Sequence, residues 1–227
     1  MTETPVQQDP ALTEAALEIA RSLARAGIPV FAAPPDDSPV GFRLPYKWQQ
    51  IEPDPARVDA WQPGWALCAV MGRGLDLVDL DLYAGADMPK LDGLMPHAYA
   101  GASTASGGLH LFVASMGVRS KNALFKGIDI KAGDEKGRGR GFAFIAPTVK
   151  TSKATGQPGT YYWVTPPDLA ALAAQGAQDT TGQPLAAVMT SGQPGAGNPR
   201  TGIPRRRCSS SSGRRAGPGR GPTRPPR

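Results

Sequence analysis

Two aspartates spaced two residues apart are the feature of the sequence that best suits chemistry. Asp79 and Asp81 lie in residues 75–82, where leucines alternate with acids, a pattern that predicts a β-strand. Successive side chains of a strand point to opposite faces, so the two carboxylates leave the same face. Their hard oxygens suit Mg²⁺ or Mn²⁺, which keep coordination positions open for substrate phosphates. The alternative is a solvated edge strand that exposes two aspartates.

A histidine at the start of another predicted strand is the second candidate. His110 follows Gly107 and Gly108 and begins a strand predicted over residues 109–114. Glycines let a ligand approach the backbone closely, so an imidazole at this point is placed to donate to a phosphate oxygen. The alternative is a hairpin turn with a half-buried histidine at the end of a strand.

A third acid lies beside a base on a short predicted strand. Asp129 and Lys131, in residues 128–131, share a face opposite two isoleucines. They form either a surface ion pair that adds little stability, or a third metal-binding carboxylate with a lysine that contacts phosphate. The loop at residues 134–141, which alternates glycine and arginine, is either a track for a nucleic-acid backbone or a flexible hairpin tip.

The elements that position these residues are a leading helix and a series of short strands. Asp9 and Pro10 open a helix at residues 11–26, and a short helix is predicted at 54–61. Candidate strands lie at residues 28–32, 65–71, 75–82, 109–114, 128–131, 141–146 and 161–164. The fold class is therefore α/β, with a largely antiparallel or mixed sheet of about six strands that ends near residue 165.

The chain of 227 residues divides by composition into a body and a tail. Its net charge of +6 comes from the tail, because residues 191–227 contain nine arginines and no acid. This segment, rich in glycine, proline and serine, cannot bury enough apolar surface to offset its chain entropy, and we predict that it is disordered. It would attract phosphate backbones regardless of sequence, whether it evolved to do so or arises from a shifted reading frame. Residues 168–190 are predicted to be a linker with a short helix.

Cysteine usage and hydropathy exclude several classes of protein. Cys68 and Cys208 provide neither a disulfide framework nor the spacing of a zinc site. No apolar stretch approaches the ~18 residues needed to span a bilayer. The first residues lack the basic and apolar segments of a secretory signal. The sequence predicts a cytoplasmic protein with no membrane partner.

The order of the three motifs resembles a known family. The acidic pair Asp79 and Asp81, then the element that ends at His110, then Asp129 are similar to the N-terminal domain of bifunctional DNA primase/polymerases. These belong to the archaeo-eukaryotic primase superfamily and are common in phages and plasmids. That superfamily has an acidic pair on one strand, a small-x-His element on a later strand and a third acid on another. The similarity spans about residues 10–167.

Two positions depart from the pattern of the family. The small residue two before His110 is Gly108 rather than serine, and Ser106 lies two positions earlier. The basic residue that the family places before the acidic pair is either Arg43 or Lys47. Neither departure alters the three acids.

The resemblance implies a fold, an activity and a set of site residues. The fold would be an RRM-like sheet joined to a small N-terminal α/β unit, in a domain at residues 1–167. The enzyme would be a nucleotidyltransferase that uses two divalent ions, Mg²⁺ or Mn²⁺, and nucleoside triphosphates on a single-stranded or primed DNA template. It would make or extend primers in phage- or plasmid-type replication. Its metal-binding and catalytic residues would be Asp79, Asp81 and Asp129, and its nucleotide-binding residues His110 and Lys131.

Other functions stay open from the residues alone. One is a catalytically silent module that binds single-stranded nucleic acid. Another is a D-x-D glycosyltransferase, although nothing here is similar to a nucleotide-sugar domain. Family members usually continue into a helicase, and the chain has no ATP-binding G-x-x-x-x-G-K-[ST] motif. It would then depend on a separate helicase or be a fragment of a larger primase-helicase.

Overall fold

Helix α1 (Pro10–Arg25) begins and ends close to the predicted positions. The side chain of Asp9 accepts a hydrogen bond from the backbone nitrogen of Ala11 at 2.8 Å. Pro10 occupies the first turn, where no amide hydrogen is needed. The helix buries one face, made by Ala16, Leu17, Ala20, Leu23 and Ala24.

Eleven strands and a second helix, α2 (Ala56–Asp59), make up the rest of the regular structure in the described residues, together with two 3-10 turns. These residues are 9–86, 98–133 and 141–171 of a computed structural model. The strands are β1 (Val30–Ala33), β2 (Ala66–Met71), β3 (Leu75–Leu80), β4 (Ala98–Ser103), β5 (Leu109–Ala114), β6 (Lys121–Phe125), β7 (Ile128–Lys131), β8 (Gly141–Ile145), β9 (Val149–Thr151), β10 (Pro158–Thr160) and β11 (Tyr162–Thr165).

The strands form three sheets in which every neighbouring pair is antiparallel. The largest has six strands in the order β11-β4-β5-β3-β7-β6, and β3 lies inside it. A three-stranded sheet has the order β1-β2-β8, and β9 with β10 forms a hairpin. The predicted α/β class with mostly antiparallel sheets is confirmed.

The two faces of β3 enter different apolar cores. Leu75 and Leu77 pack with Phe112 into a core shared with α1 and the three-stranded sheet. Val78 and Leu80 pack on the other face into a second core. Because the side chains alternate, Asp79 follows Leu77 on the first face and lies where that core ends. The apolar pattern therefore decides which side of the sheet carries the acidic pair.

The number of strands was predicted too low, since β4, β6, β9 and β10 were not expected. The sequence of β4 consists mostly of alanine, glycine and serine, which favour strands weakly. Its position depends on pairing with both β5 and β11, a tertiary effect that local sequence does not carry. The helix predicted at 54–61 is also shorter, at Ala56–Asp59.

Several expectations concern residues that the structure does not describe. The tail at 191–227 and residues 172–190 of the predicted linker lie outside the described ranges, as do residues 134–140 of the glycine-arginine loop. Within the described ranges, the backbone nitrogen of Asp168 donates to the carbonyl oxygen of Tyr99 at 2.9 Å, just beyond β11. No helix in this part of the chain is long and apolar enough to cross a membrane.

A buried carboxyl on β3 should make stability depend on pH. Asp76 is fully buried, and its Oδ2 accepts a hydrogen bond from the backbone nitrogen of Met116 at 2.6 Å. Burial raises the pKa of Asp76 to about 7. A raised folded-state pKa gives stability that is complete below the unfolded pKa and is lost as pH rises through the folded value. We therefore expect the free energy of unfolding to fall by up to ~4 kcal/mol between pH 4 and 7.

The measurement for Asp76 is urea unfolding at a series of pH values, compared with Asp76→Asn. The asparagine oxygen still accepts the hydrogen bond from Met116, but the side chain does not titrate. Its stability should therefore vary less over this pH range than that of the unchanged chain. Identical pH dependence in the two proteins would contradict the prediction.

Candidate active site

The central strand β3 places Asp79 between two different partners. In the antiparallel register, Asp79 lies opposite Asp129 of β7 on one side and opposite His110 of β5 on the other. Directly paired residues of neighbouring strands leave the same face of a sheet. Three residues singled out from separate parts of the sequence therefore form one row across the sheet.

His110 is held tightly within this row. The residue is 4% exposed, and its Nε2 lies 3.3 Å from Oδ1 of Asp79. The rings of Phe112 and Tyr161 lie 6.0 and 5.5 Å from the imidazole, measured between ring centres. Its Nδ1 is buried and has no hydrogen-bond partner among the described residues. The histidine is thus more buried than the sequence suggested, and it contacts the acidic pair.

Asp81 lies just past the end of β3 and is fixed by its backbone. Its nitrogen donates to the carbonyl oxygen of Gly127 at 2.7 Å, and its carbonyl oxygen accepts from the nitrogens of Ala84 and Ala86 at 2.9 and 3.3 Å. The hydroxyl of Tyr83 is hydrogen-bonded to its carboxylate. The chain turns sharply here, so the second carboxylate stays beside the first although it has left the strand.

The pKa values of the two carboxyls are pushed in opposite directions. Burial raises the pKa of Asp81, and the charges of Asp79 and Asp129 raise it further. Burial also acts to raise the pKa of Asp79. The hydrogen bond and charge of His110, helped by Lys131 and Lys153, outweigh that effect and hold the pKa of Asp79 below its ordinary value. Repulsion between close carboxylates is the condition that a bound cation relieves.

Asp129 and Lys131 share a face, as predicted, but they bind each other. Nζ of Lys131 lies 2.8 Å from Oδ2 of Asp129 and 3.1 Å from Oδ1 of Asn122. Oδ1 of Asp129 accepts from the backbone nitrogen of Ala123 at 2.7 Å. Both carboxylate oxygens of Asp129 therefore have donors from the protein, and neither residue lines the cavity that contains Asp79.

The donor groups near Asp79 decide whether the site suits a metal ion. Among the residues that the structure describes, no group of three or more His, Cys, Asp or Glu side chains is arranged to hold a metal ion. Asp79 and Asp81 line one cavity, and Asp129 lies one strand away with its own lysine partner. Carboxylate oxygens are nevertheless the donors that Mg²⁺ and Mn²⁺ prefer. The pair fits a hard divalent ion, with Asp129 as a neighbouring carboxylate.

The cavity beside the acidic pair has a cationic wall that the sequence analysis missed. Its volume is about 60 Å³, and Lys150, Lys153 and Ser106 line it together with the two aspartates. The backbone nitrogen of Lys153 donates to Oγ of Ser106 at 2.9 Å, which ties the hairpin β9–β10 to the turn before β5. The charge of Lys153 acts on both Asp79 and Asp81. A small polar space is thus lined by both carboxylates and lysines.

Lys150 differs from Lys153 because its ammonium group already has partners within the protein. Its ammonium donates to the carbonyl oxygen of Val40 and lies 4.6 Å from the centre of the Phe144 ring and 5.8 Å from that of Phe42. Burial lowers the pKa of Lys150, and the charge of Lys153 adds to that effect. Lys150 therefore joins the cavity to the loop before Phe42, whereas Lys153 is the cation placed for a ligand.

The position of Ser106 explains the departure at Gly108. A Cβ atom on Gly108 would lie 2.3 Å from the carbonyl oxygen of Leu80, far inside contact distance. A serine does not fit there without movement of the backbone between Asp79 and Asp81. The hydroxyl that lines the cavity comes from Ser106 instead. The sequence did contain this signal, since Ser106 lies two residues before Gly108.

Comparison with known proteins gives one family. Residues 20–178 match the family model described as bifunctional DNA primase/polymerase, N-terminal. The match covers well over half of the chain and includes every residue of the row and the cavity. No curated protein matches the chain at a significant level.

Proposed function

The chain belongs to the bifunctional DNA primase/polymerase N-terminal family, and from that membership we propose that it catalyses metal-dependent, template-directed nucleotidyl transfer to synthesise or extend a primer. The observation that supports this most is the cavity in which Asp79 and Asp81 face Lys153, with His110 in the same lining. The reaction needs an anionic side that holds divalent ions and a cationic side that holds a triphosphate. The substrates are then nucleoside triphosphates and a DNA template.

In this proposal Asp79 and Asp81 hold the divalent ions, Mg²⁺ or Mn²⁺, and Asp129 contributes from the neighbouring strand. When bound, such ions offset the charge of the triphosphate and favour ionisation of the attacking hydroxyl. The low pKa of Asp79 keeps that carboxylate charged at neutral pH. Lys131 offsets the charge of Asp129, and the strand register keeps this third carboxylate beside Asp79.

The phosphates of the nucleotide would be held by three other residues that line the cavity. Lys153 supplies a positive charge, and the hydroxyl of Ser106, which accepts from the Lys153 backbone, is left with its hydrogen to donate. The imidazole of His110 is placed by its contact with Asp79 and by the Tyr161 ring. These three groups would bind and orient the triphosphate, while ions held by the acidic pair would offset its charge.

We expect Lys153 and Lys131 to contribute differently to nucleotide binding. Replacing Lys153 by alanine should raise the KM for the nucleotide by about 10-fold, since a charged hydrogen bond to phosphate is worth roughly 1.5–3 kcal/mol. Lys131→Ala is the matched control, because Lys131 pairs with Asp129 instead of lining the cavity. We expect it to change metal dependence more than nucleotide KM. A larger rise in KM from Lys131→Ala would restore the role first predicted for Lys131.

The activity itself is tested by primer extension with the full chain. We expect incorporation of labelled nucleotides on a primed DNA template in Mg²⁺ or Mn²⁺, and loss of incorporation when the ion is chelated. Incorporation that continues without a divalent ion would contradict the proposed mechanism. DNA binding with no incorporation under any of these conditions would favour the catalytically silent module.

A further inference from the structure

The segment between β1 and α2 exposes an aromatic ring next to a cation. Tyr46 is 89% exposed, more than any other large apolar or aromatic side chain in the described chain. The ammonium of Lys47 lies 5.4 Å from the centre of the Tyr46 ring, within cation–π range. Residues 38–51 also contain the exposed Arg43 and no acid, and acids flank this stretch at positions 36, 37, 52 and 54. This stretch therefore presents a flat ring and positive charge to solvent.

The turn that carries Tyr46 is anchored in the protein by Trp48. Trp48, which begins the 3-10 turn Trp48–Gln50, packs its ring against Phe31 and Phe142 at centre distances of 6.4 and 5.2 Å. Its backbone nitrogen donates to the carbonyl oxygen of Pro45 at 3.1 Å, so Tyr46 lies inside a closed turn. Lys47 has a φ of 53°, a left-handed conformation that is uncommon outside glycine. The closed turn therefore fixes the backbone of Tyr46, and the Tyr46 ring itself is exposed to solvent.

A row of aromatic rings connects Trp48 to the cavity beside the acidic pair. From Trp48 it passes through Phe142, Phe144 and Tyr161 to His110, and successive ring centres are 5.2, 5.4, 5.8 and 5.5 Å apart. Lys150 makes a second connection, since it lines the cavity and donates to a carbonyl of the same segment. A strand of DNA rises about 3.4 Å per nucleotide. The row limits the separation between Trp48 and His110, which contacts Asp79, to about six nucleotides.

We propose that Tyr46 and Lys47 form a stacking platform for the single-stranded template. An unpaired base stacks on the Tyr46 ring, and Lys47 contacts a neighbouring phosphate. Stacking on aromatic rings combined with cations along the backbone is the general way in which proteins hold single strands without regard to sequence. Double-stranded DNA does not fit, because its bases are already stacked on each other. The proposal rests on the proposed function only for the identity of the strand as a template.

The test measures binding of a labelled single-stranded oligonucleotide to the full chain, without metal or nucleotide, at several salt concentrations. Tyr46→Ala should weaken binding by roughly 10-fold, and Tyr46→Phe should bind like the unchanged chain because the ring is kept. Lys47→Gln should reduce the slope of log K against log salt by about 0.7. Tyr162→Ala is the matched control, since Tyr162 is also exposed, at 57%, but lies on β11.

A second measurement locates the stacked base. The fluorescent base 2-aminopurine, placed at successive template positions beyond a primer end, should change its emission at one or two positions, and the change should vanish in Tyr46→Ala. Equal affinity of Tyr46→Ala and the unchanged chain at every salt concentration would overturn the proposal and leave the ring as a contact for a protein. Tyr46-dependent binding by a chain that incorporates no nucleotide would refute the proposed function and retain the platform.

Discussion

Replacing Asp79 by asparagine should reduce nucleotide incorporation by about 1,000-fold, with the fold unchanged. Asp79 is the carboxylate whose pKa is lowered, and it contacts His110 at 3.3 Å. The substitution removes its charge but keeps an oxygen that accepts from the imidazole. Loss of one preorganised electrostatic group costs roughly 10²–10³-fold in rate, and a metal-binding carboxylate lies at the upper end of that range. The measurement is single-nucleotide incorporation at saturating template, together with thermal unfolding.

The fold should persist in this variant with a small loss of stability, because the lowered pKa of Asp79 means that its charge is favoured in the folded chain. Asp76→Asn is the matched control: it is the same substitution on the same strand, but on the opposite face and away from the cavity. It should retain most of the incorporation at neutral pH. Activity of Asp79→Asn within about 10-fold of the unchanged chain would remove Asp79 from the catalytic machinery, since such a change is only ~1.4 kcal/mol.

Substitution of Gly108 by alanine should disable the site through the backbone. The added Cβ would lie 2.3 Å from the carbonyl oxygen of Leu80 and 3.1 Å from Oγ1 of Thr104. Leu80 stands between Asp79 and Asp81, so relief of this contact moves the backbone that carries both carboxylates. We expect a loss of 1–3 kcal/mol in the free energy of unfolding and a loss of incorporation of about 100-fold, because small displacements of reacting groups have effects of that size.

The control for Gly108 is another glycine of the same sheet. On Gly101, in β4, an added Cβ would have its nearest neighbour at 3.9 Å, which is an ordinary contact. Gly101→Ala should therefore leave both urea unfolding and incorporation nearly unchanged. Equal behaviour of the two variants would show that the close approach at Gly108 does not position the acidic pair.

The strands that carry the site could be predicted because their side chains alternate. In β7 the two isoleucines take one face and leave the other to Asp129, and in β3 the same alternation puts Asp79 on the face opposite Val78 and Leu80. The register between strands was not predictable in the same way. That Asp79 lies opposite both His110 and Asp129 depends on long-range pairing, for which no turn residue in the sequence fixes the alignment.

The cationic wall could not be predicted from local pattern. Lys153 lies in the turn between β9 and β10, two strands of three residues each that have no apolar alternation. Its place beside Asp79 depends on long-range contacts of the hairpin, among them the backbone hydrogen bond to Ser106, 47 residues away in sequence. Lys131 looked equivalent in the sequence, and only its pairing with Asp129 separates the two lysines.

The cavity is built from two separately hydrogen-bonded sheets, since Asp79 belongs to the six-stranded sheet and Lys153 to the β9–β10 hairpin. Substitutions in the hairpin therefore leave the strand pairing of Asp79 in place, while the charge of Lys153 acts on its pKa. Under the proposed function, relatives of this chain would diverge in their choice of nucleotide while they keep the same reaction. Laboratory selection for a new nucleotide preference would accordingly begin with libraries confined to residues 150–160.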